Sequence, residues 1–235
     1  MRIIDRIVDL LFPRRCAVCD EPMLPGDVYI CPKCKKKIVY VEEPFCLKCG
    51  KPLPDNREFC NDCISRNHYF ESGSAVFDYG SISDSLFRFK NKGRVEYARF
   101  YASELYKKKK EWLDSIKPDA FIPVPIHKSK RRTRGYNQSE IISRELSALS
   151  SIPTITDLVI RSKKTSPLKN MGLSERQNHI KGAFKVKSNV VKLSTIVIID
   201  DIYTTGSTID AIAAVILEHF DCKIYFLTVT IGRGV

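Results

Sequence analysis

The sequence predicts an α/β fold built on a mainly parallel sheet and preceded by a small cysteine-rich module. Three observations carry that expectation. Ile196, Val197, Ile198 and Ile199 form an unbroken β-branched run, the pattern of a strand buried on both faces and therefore of a parallel sheet covered by helices. Apolar runs and helix-period segments alternate through the later part of the chain, as a βα succession requires. Eight of the nine cysteines stand as four Cys-x-x-Cys pairs in the N-terminal part. At 235 residues the chain has room for one small metal module, taken as residues 1–70, and one α/β domain of ordinary size, taken as 71–235.

The elements follow in chain order. Apolar side chains at 3, 4, 7, 8, 10 and 11 predict a short helix over 3–11 that packs on the body and is too short to span a bilayer. The pairs Cys16/Cys19, Cys31/Cys34, Cys46/Cys49 and Cys60/Cys63 come next. Eleven residues separate the first two pairs and ten the last two, so one unit is repeated. Each pair of thiolates can fill two corners of a tetrahedron, and two pairs close a structural zinc site, which gives two zincs per chain. Sequential sites and a cross-braced arrangement joining the first pair to the third are both compatible with this spacing. With no secretory leader or transmembrane run in view, a reducing cytoplasm is expected, where thiols serve metal rather than disulfides. The module carries few large aliphatics, so zinc supplies most of its folding free energy, about 10 kcal/mol per site. Residues 65–73 read as a hinge. Strands are expected near 74–79, 119–124, 155–160, 195–200 and 222–230, and helices over 97–112, 138–149 and 207–220. Cys222, alone in an apolar run, reads as a small buried hydrophobe.

Chemistry is most legible where the 196–199 strand ends. Asp200 and Asp201 stand at its carboxyl end, and Thr204, Thr205, Gly206, Ser207 and Thr208 follow. Small hydroxyl and glycine residues expose backbone N–H groups toward one point, and a helix opening at Ser207 directs its positive end there. The turn is thus a phosphate cradle. Carboxylates beside such a cradle suit a sugar phosphate, with its hydroxyls on the acidic pair. The whole stretch resembles the phosphoribosyl pyrophosphate (PRPP) motif of type I phosphoribosyltransferases, which implies a sheet of the type I phosphoribosyltransferase kind.

Lys and Arg exceed Asp and Glu by 12, and most of that excess lies in residues 71–235. Three basic runs supply it, at 107–110, 128–134 and 161–164. The first reads as a helix end with a solvated face. The second follows Ile122-Pro123-Val124-Pro125-Ile126-His127, a strand running into a proline-stiffened turn, so its cations form a loop where α/β sheets place ligands. Segment 163–182 is polar, carries Pro167 and Gly172, and reads as a flap over the site. None of the four histidines has ligand spacing; His127 either touches a phosphate or makes a structural hydrogen bond.

Pro123-Val124-Pro125-Ile126-His127, followed by Arg134-Gly135-Tyr136-Asn137-Gln138, resembles the signature of the ComF/GntX family, and Leu173, Arg176, Asn178, Ala183 and Phe184 resemble a third family element. Leu10-Leu11-Phe12-Pro13 through Cys19, and residues 79–93, extend the resemblance to nearly the whole chain. Asn170 departs from it, standing where the family often carries Gln. The resemblance implies a double zinc ribbon ahead of a phosphoribosyltransferase-like domain, with PRPP or a related sugar phosphate as ligand and Mg²⁺ on its pyrophosphate. It implies Asp200, Asp201 and Arg176 as catalytic residues, and Asp200, Asp201, Thr204, Thr205, Gly206, Ser207 and Thr208 as PRPP contacts. Lys128, Arg131, Arg132 and Arg134 are the candidates for pyrophosphate or DNA, and Arg176 and Asn178 for closure by the flap. Lys90 matches a family lysine, and a place in the cleft or on the surface is open to it. Two functional classes stand side by side. One is an enzyme that transfers a phosphoribosyl group to an acceptor with loss of pyrophosphate. The other is a binding protein that senses PRPP or a nucleotide while contacting single-stranded DNA or a competence helicase. The resemblance connects both with DNA uptake in natural transformation, and Tyr136, beside the second basic run, is the aromatic that fits base stacking.

Overall fold

The computed structural model describes residues 13–24, 26–162, 182–187 and 192–232. The helix expected over 3–11 and all but the last residue of the flap, with Arg176 and Asn178, lie outside the described residues.

Two ribbon units open the described chain and repeat each other closely. In the first, the Cys16 amide donates to the Glu21 carbonyl at 2.9 Å and Arg15 bridges Pro22; in the second, the Cys46 amide donates to Lys51 at 2.8 Å and Phe45 bridges Pro52. The second cysteine pair of each opens a single helical turn, α1 (Pro32–Lys35) and α2 (Asn61–Ile64). There follow β1 (Gly73–Asp78), α3 (Tyr79–Asn91), α4 (Tyr97–Ile116), β2 (Ala120–Pro123), α5 (Lys128–Arg134), α6 (Gln138–Ser150), β3 (Val159–Arg161), β4 (Phe184–Val186), β5 (Thr195–Tyr203), α7 (Ser207–Leu217) and β6 (Lys223–Ile231). The main sheet has the order β1-β6-β5-β2 with every pair parallel, so the fold is the α/β class expected, preceded by the cysteine-rich ribbons.

Strand alternation divides the core between the two faces of that sheet. Ile196 and Ile198 of β5, with Ile224 and Phe226 of β6, meet Ile209, Ile212 and Ile216 of α7 and the second ribbon's Cys46, Cys49 and Cys60. Val197, Ile199, Leu227 and Val229 meet α3, α4 and α6 on the other face, joined by Ala17 and Ile38 of the first ribbon. Each ribbon therefore adds to a different half of the core.

Four expectations are corrected. The 155–160 strand is not part of the main sheet: the chain makes one bridge there, Thr154 to Phe121, and Val159–Arg161 then pairs antiparallel with β4. The reason is covalent. After the Phe121 amide has donated to Pro153 and its carbonyl has accepted from Ile155, the next donor along β2 would be Pro123, which has no N–H. The cations at 128–134 form not a loop but the helix α5, whose start is capped by the His127 imidazole accepting from the Ser129 amide at 3.2 Å and whose end is Gly135 at φ +84°. Helix α3, absent from the expected elements, is capped by Asp78 accepting from the Gly80 amide and buries Ile82, Leu86 and Phe89 at helical spacing. The 65–73 stretch is not a hinge, since Phe70 is buried in the core and the Glu71 amide donates to Ile224 at 2.7 Å. In addition, α4 runs on to Ile116, which places the 107–110 lysines in its body rather than at its end. Cys222 is half-buried and packs at the edge of the core. Among the described residues no helix is long and apolar enough to cross a membrane.

Candidate functional site

The eight ribbon cysteines converge as two sets, Cys16/Cys19/Cys31/Cys34 and Cys46/Cys49/Cys60/Cys63, with all four sulfurs of each set within 4.8 Å of one another. The arrangement is sequential, and the cross-braced alternative is excluded. The sulfur geometry fits zinc: Cys19 and Cys31 Sγ are 3.9 Å apart and Cys49 and Cys60 Sγ 3.7 Å. A tetrahedron with Zn–S bonds of about 2.3 Å has edges of about 3.8 Å. These are structural zinc ribbon sites, closed by four thiolates each.

The acidic doublet lies within β5, two residues before its end, and its members have different partners. Asp200 Oδ1 accepts from Ser139 Oγ at 2.8 Å and from the Asp201 amide at 2.9 Å. Asp201 is buried, and its Oδ2 lies 2.8 Å from Lys90 Nζ. Burial, and then the neighbouring Asp201 carboxylate, push the Asp200 carboxyl up to about 7. Lys90 feels burial acting to lower its pKa, but the Asp201 carboxylate outweighs it and the net direction is upward.

Thr204, Thr205 and Gly206 turn the chain from β5 into α7. Gly206 takes the left-handed conformation at φ +79° as the residue before the helix, and Thr205 and Ser207 hydroxyls meet at 2.9 Å. A small hollow of about 30 Å³ is lined by Asp200, Thr204, Thr205, Gly206, Ser207 and Thr208, so the doublet's first member and the whole turn face one space. This is the juxtaposition that the motif order implies.

Beyond Lys90 opens a larger cavity of about 540 Å³, lined among others by Ser129, Lys130, Thr133 and Arg134. Of the four cations singled out in sequence, only Arg134 lines it, and its guanidinium also donates to Gln138 Oε1 at 2.5 Å. Lys128 and Arg132 are exposed, and Arg131 is drawn 3.2 Å from Glu140 on α6. Lys130, passed over in the sequence, lines the cavity because it sits one helical turn before Arg134. Its pKa is lowered, first by burial and then by the cations Arg161, Arg134 and Lys90, while the Asp201 carboxylate acts in the opposite direction. Arg161 lies over the Phe184 ring at 5.3 Å with its pKa lowered by burial, while Asp200 acts in the opposite direction. The local signals for these residues were the i, i+4 spacing of Lys130 and Arg134 and the cap-and-stop pair His127 and Gly135. Nothing in the sequence pointed to Ser139.

His127 makes the structural hydrogen bond of the two roles open to it, from its place as the α5 cap. Tyr136 is not an exposed stacking platform: its hydroxyl donates to the Phe89 carbonyl, and its ring packs 5.9 Å from Phe89. Outside the ribbons, no group of three or more metal-ligating side chains gathers among the described residues. A hard cation such as Mg²⁺ would meet here one or two carboxylates and depend on a ligand's phosphates for the rest, which is how Mg²⁺ is commonly held.

Residues 7–64 match the model of the double zinc ribbon domain. The chain is 28% identical to competence protein F of Haemophilus influenzae over 86% of its own length and 90% of that protein. It is 27% identical to DNA utilization protein YhgH of Escherichia coli K12, over 89% and 93% of the two chains, and 26% identical to competence protein ComFC of Bacillus subtilis, over 86% and 88%. Among solved structures, adenine phosphoribosyltransferase from Saccharomyces cerevisiae aligns over 71% of this chain and 81% of its own, with 15% identity and a TM-score of 0.38.

Proposed function

The chain belongs to the ComF family, and from that membership and the geometry around Asp200 we propose that it binds PRPP and transfers its phosphoribosyl group to an acceptor, releasing pyrophosphate. The observation that carries the reading is the shared hollow of Asp200 and the 204–208 turn, with Asp201, the other member of the doublet, paired to Lys90 at the lining of the separate cation-lined cavity. A phosphorylated pentose with a pyrophosphate at the far end has this distribution of groups.

In this reading the 5′-phosphate accepts from the backbone amides of Thr205 to Thr208 at the positive end of α7. Ribose hydroxyls donate to Asp200 and Asp201, and the carboxylates also balance the positive charge that develops at C1 as the bond to pyrophosphate breaks. Lys90, Lys130, Arg134 and Arg161 neutralise the departing pyrophosphate, with Lys90 held in place by Asp201. Mg²⁺ on the pyrophosphate, when bound, supplies further charge neutralisation. Arg176 and Asn178 on the flap would close the site and exclude water. A cytoplasmic setting keeps the ribbon thiols available for zinc.

Titration calorimetry with PRPP and Mg²⁺ tests the binding step. We expect saturable binding by the wild type and none by Asp201→Asn; equal binding by both would overturn the assignment. Pyrophosphate release on mixing PRPP with bases, amines and oligonucleotides then identifies the acceptor class. One observation favours a second reading: Lys128 and Arg132 are exposed and do not line the cavity. Such outward cations suit a non-catalytic adaptor that senses PRPP and contacts single-stranded DNA or a helicase in DNA uptake. PRPP binding without pyrophosphate release for any acceptor would select it.

A further inference from the structure

We propose that the segment leaving the second ribbon, Arg66 to Phe70, is a positioning arm for the phosphate turn, so that zinc in the second ribbon, and not in the first, controls the shape of residues 204–207. What the turn holds rests on the PRPP reading; the arm itself rests on contacts. His68 Nδ1 lies 2.8 Å from Asp210 Oδ2 with its side chain 1% exposed, and the Tyr69 amide donates to Asp210 Oδ1 at 3.1 Å. Two consecutive residues of the arm thus hold both oxygens of a carboxylate in the first turn of α7. They also direct hydrogen-bond donors at a negative charge that would otherwise oppose an anion at that helix end.

The arm touches the turn at two further points. The Arg66 guanidinium donates to the Thr205 carbonyl at 3.4 Å. At Gly206 a Cβ would lie 2.7 Å from the Tyr203 hydroxyl and 3.2 Å from the His68 ring, so arm and turn meet where no side chain intervenes. Phe70 anchors the arm, stacked 4.6 Å from His68 and edge-on to Tyr203 and Phe226 at 6.4 and 4.9 Å. Cys46, Cys49 and Cys60 share the buried cluster of Phe70, Tyr203 and Ile209. The first ribbon's contacts, by contrast, run to α3, the turn after it and the start of α4: the Ala17 and Val18 carbonyls accept from Ser85 and Arg88, and Asp20 meets Arg94 at 3.0 Å and accepts from the Tyr97 hydroxyl. An anion cradle works when its donors are fixed beforehand, and a ribbon of this size holds its shape through its metal.

Hydrogen-exchange mass spectrometry on the zinc-loaded full chain, with PRPP calorimetry in parallel, tests the arm. His68→Ala should retain two zincs while exchange in the peptide covering 203–210 rises about tenfold and PRPP binding weakens about tenfold, the scale of one or two buried hydrogen bonds. His68→Gln, which can still donate to Asp210, should recover most of both, and Asp20→Ala, which loosens the first ribbon from α4, should leave 203–210 unchanged. Under stepwise chelation, 203–210 should lose protection together with the second-ribbon peptides. A turn that stays protected in His68→Ala or after the second ribbon has opened, or that responds equally to Asp20→Ala, would overturn the proposal. If the wild type fails to bind PRPP, the functional reading falls, and the exchange comparison still decides whether the arm exists.

Discussion

Asp200 carries the clearest residue-scale consequence. Its folded-state pKa is raised to about 7 from 3.8, so the carboxyl favours the protonated form in the folded chain. Its contribution to stability is present below about pH 4 and is lost as pH rises through about 7. Asn at 200 keeps an acceptor for Ser139 and the Asp201 amide but carries no charge. Urea unfolding should therefore show Asp200→Asn gaining on the wild type as pH rises from 4 to 7 and holding that gain at higher pH. A difference that stays flat across this range would show that Asp200 titrates normally. Lys90 makes the complementary case, because removing it leaves Asp201 buried without its counter-charge. We expect Lys90→Ala to lose about 2 kcal/mol of stability in the same measurement.

Among the elements, α5 separates cations by face. Lys130 and Arg134 line the cavity, whereas Arg131 does not and is engaged by Glu140. If pyrophosphate binds there, Lys130→Ala and Arg134→Ala should each weaken PRPP binding by about tenfold or more, the size of a charge-assisted contact. Arg131→Ala should leave both affinity and stability within about 0.5 kcal/mol of the wild type, as for other exposed pairs. Strand β1 depends in the same local way on Gly73, where a Cβ would lie 2.0 Å from the Phe226 ring. That ring is stacked on Tyr203 at 4.5 Å and cannot yield without disturbing the end of β5. Gly73→Ala should cost about 3 kcal/mol, at the upper end of overpacking effects, with a matching fall in melting temperature.

For the molecule as a whole, zinc and the two core faces are coupled, because each ribbon adds buried residues to one face of the sheet. Native mass spectrometry should find two zincs per chain, and a value of one or none would be incompatible with two closed four-thiolate sites. Chelation should lower the melting temperature of the whole α/β unit and not of the ribbons alone, since Phe70 and Ala17 are shared between ribbon and sheet core.

The parts of this protein readable from sequence are those in which the interacting atoms are close along the chain. Cys-x-x-Cys pairs, the β-branched run into β5, and the doublet, turn and helix start at 200–208 each span fewer than a dozen or so residues, so residue type and spacing alone identify them. Pro123 ended the pairing of the 155–160 segment with β2 for an equally local reason, a missing N–H, but only the register showed that it mattered. Everything resting on distant partners was decided by tertiary structure: the sequential pairing of the zinc ligands, the choice of Lys130 over Arg131 at the cavity, Lys90 against Asp201, and His68 against Asp210 across 142 residues. Residue spacing determines which groups an element can present. Sheet order and helix packing determine which groups from other elements stand opposite them, and contacts across that distance leave no periodic trace along the chain.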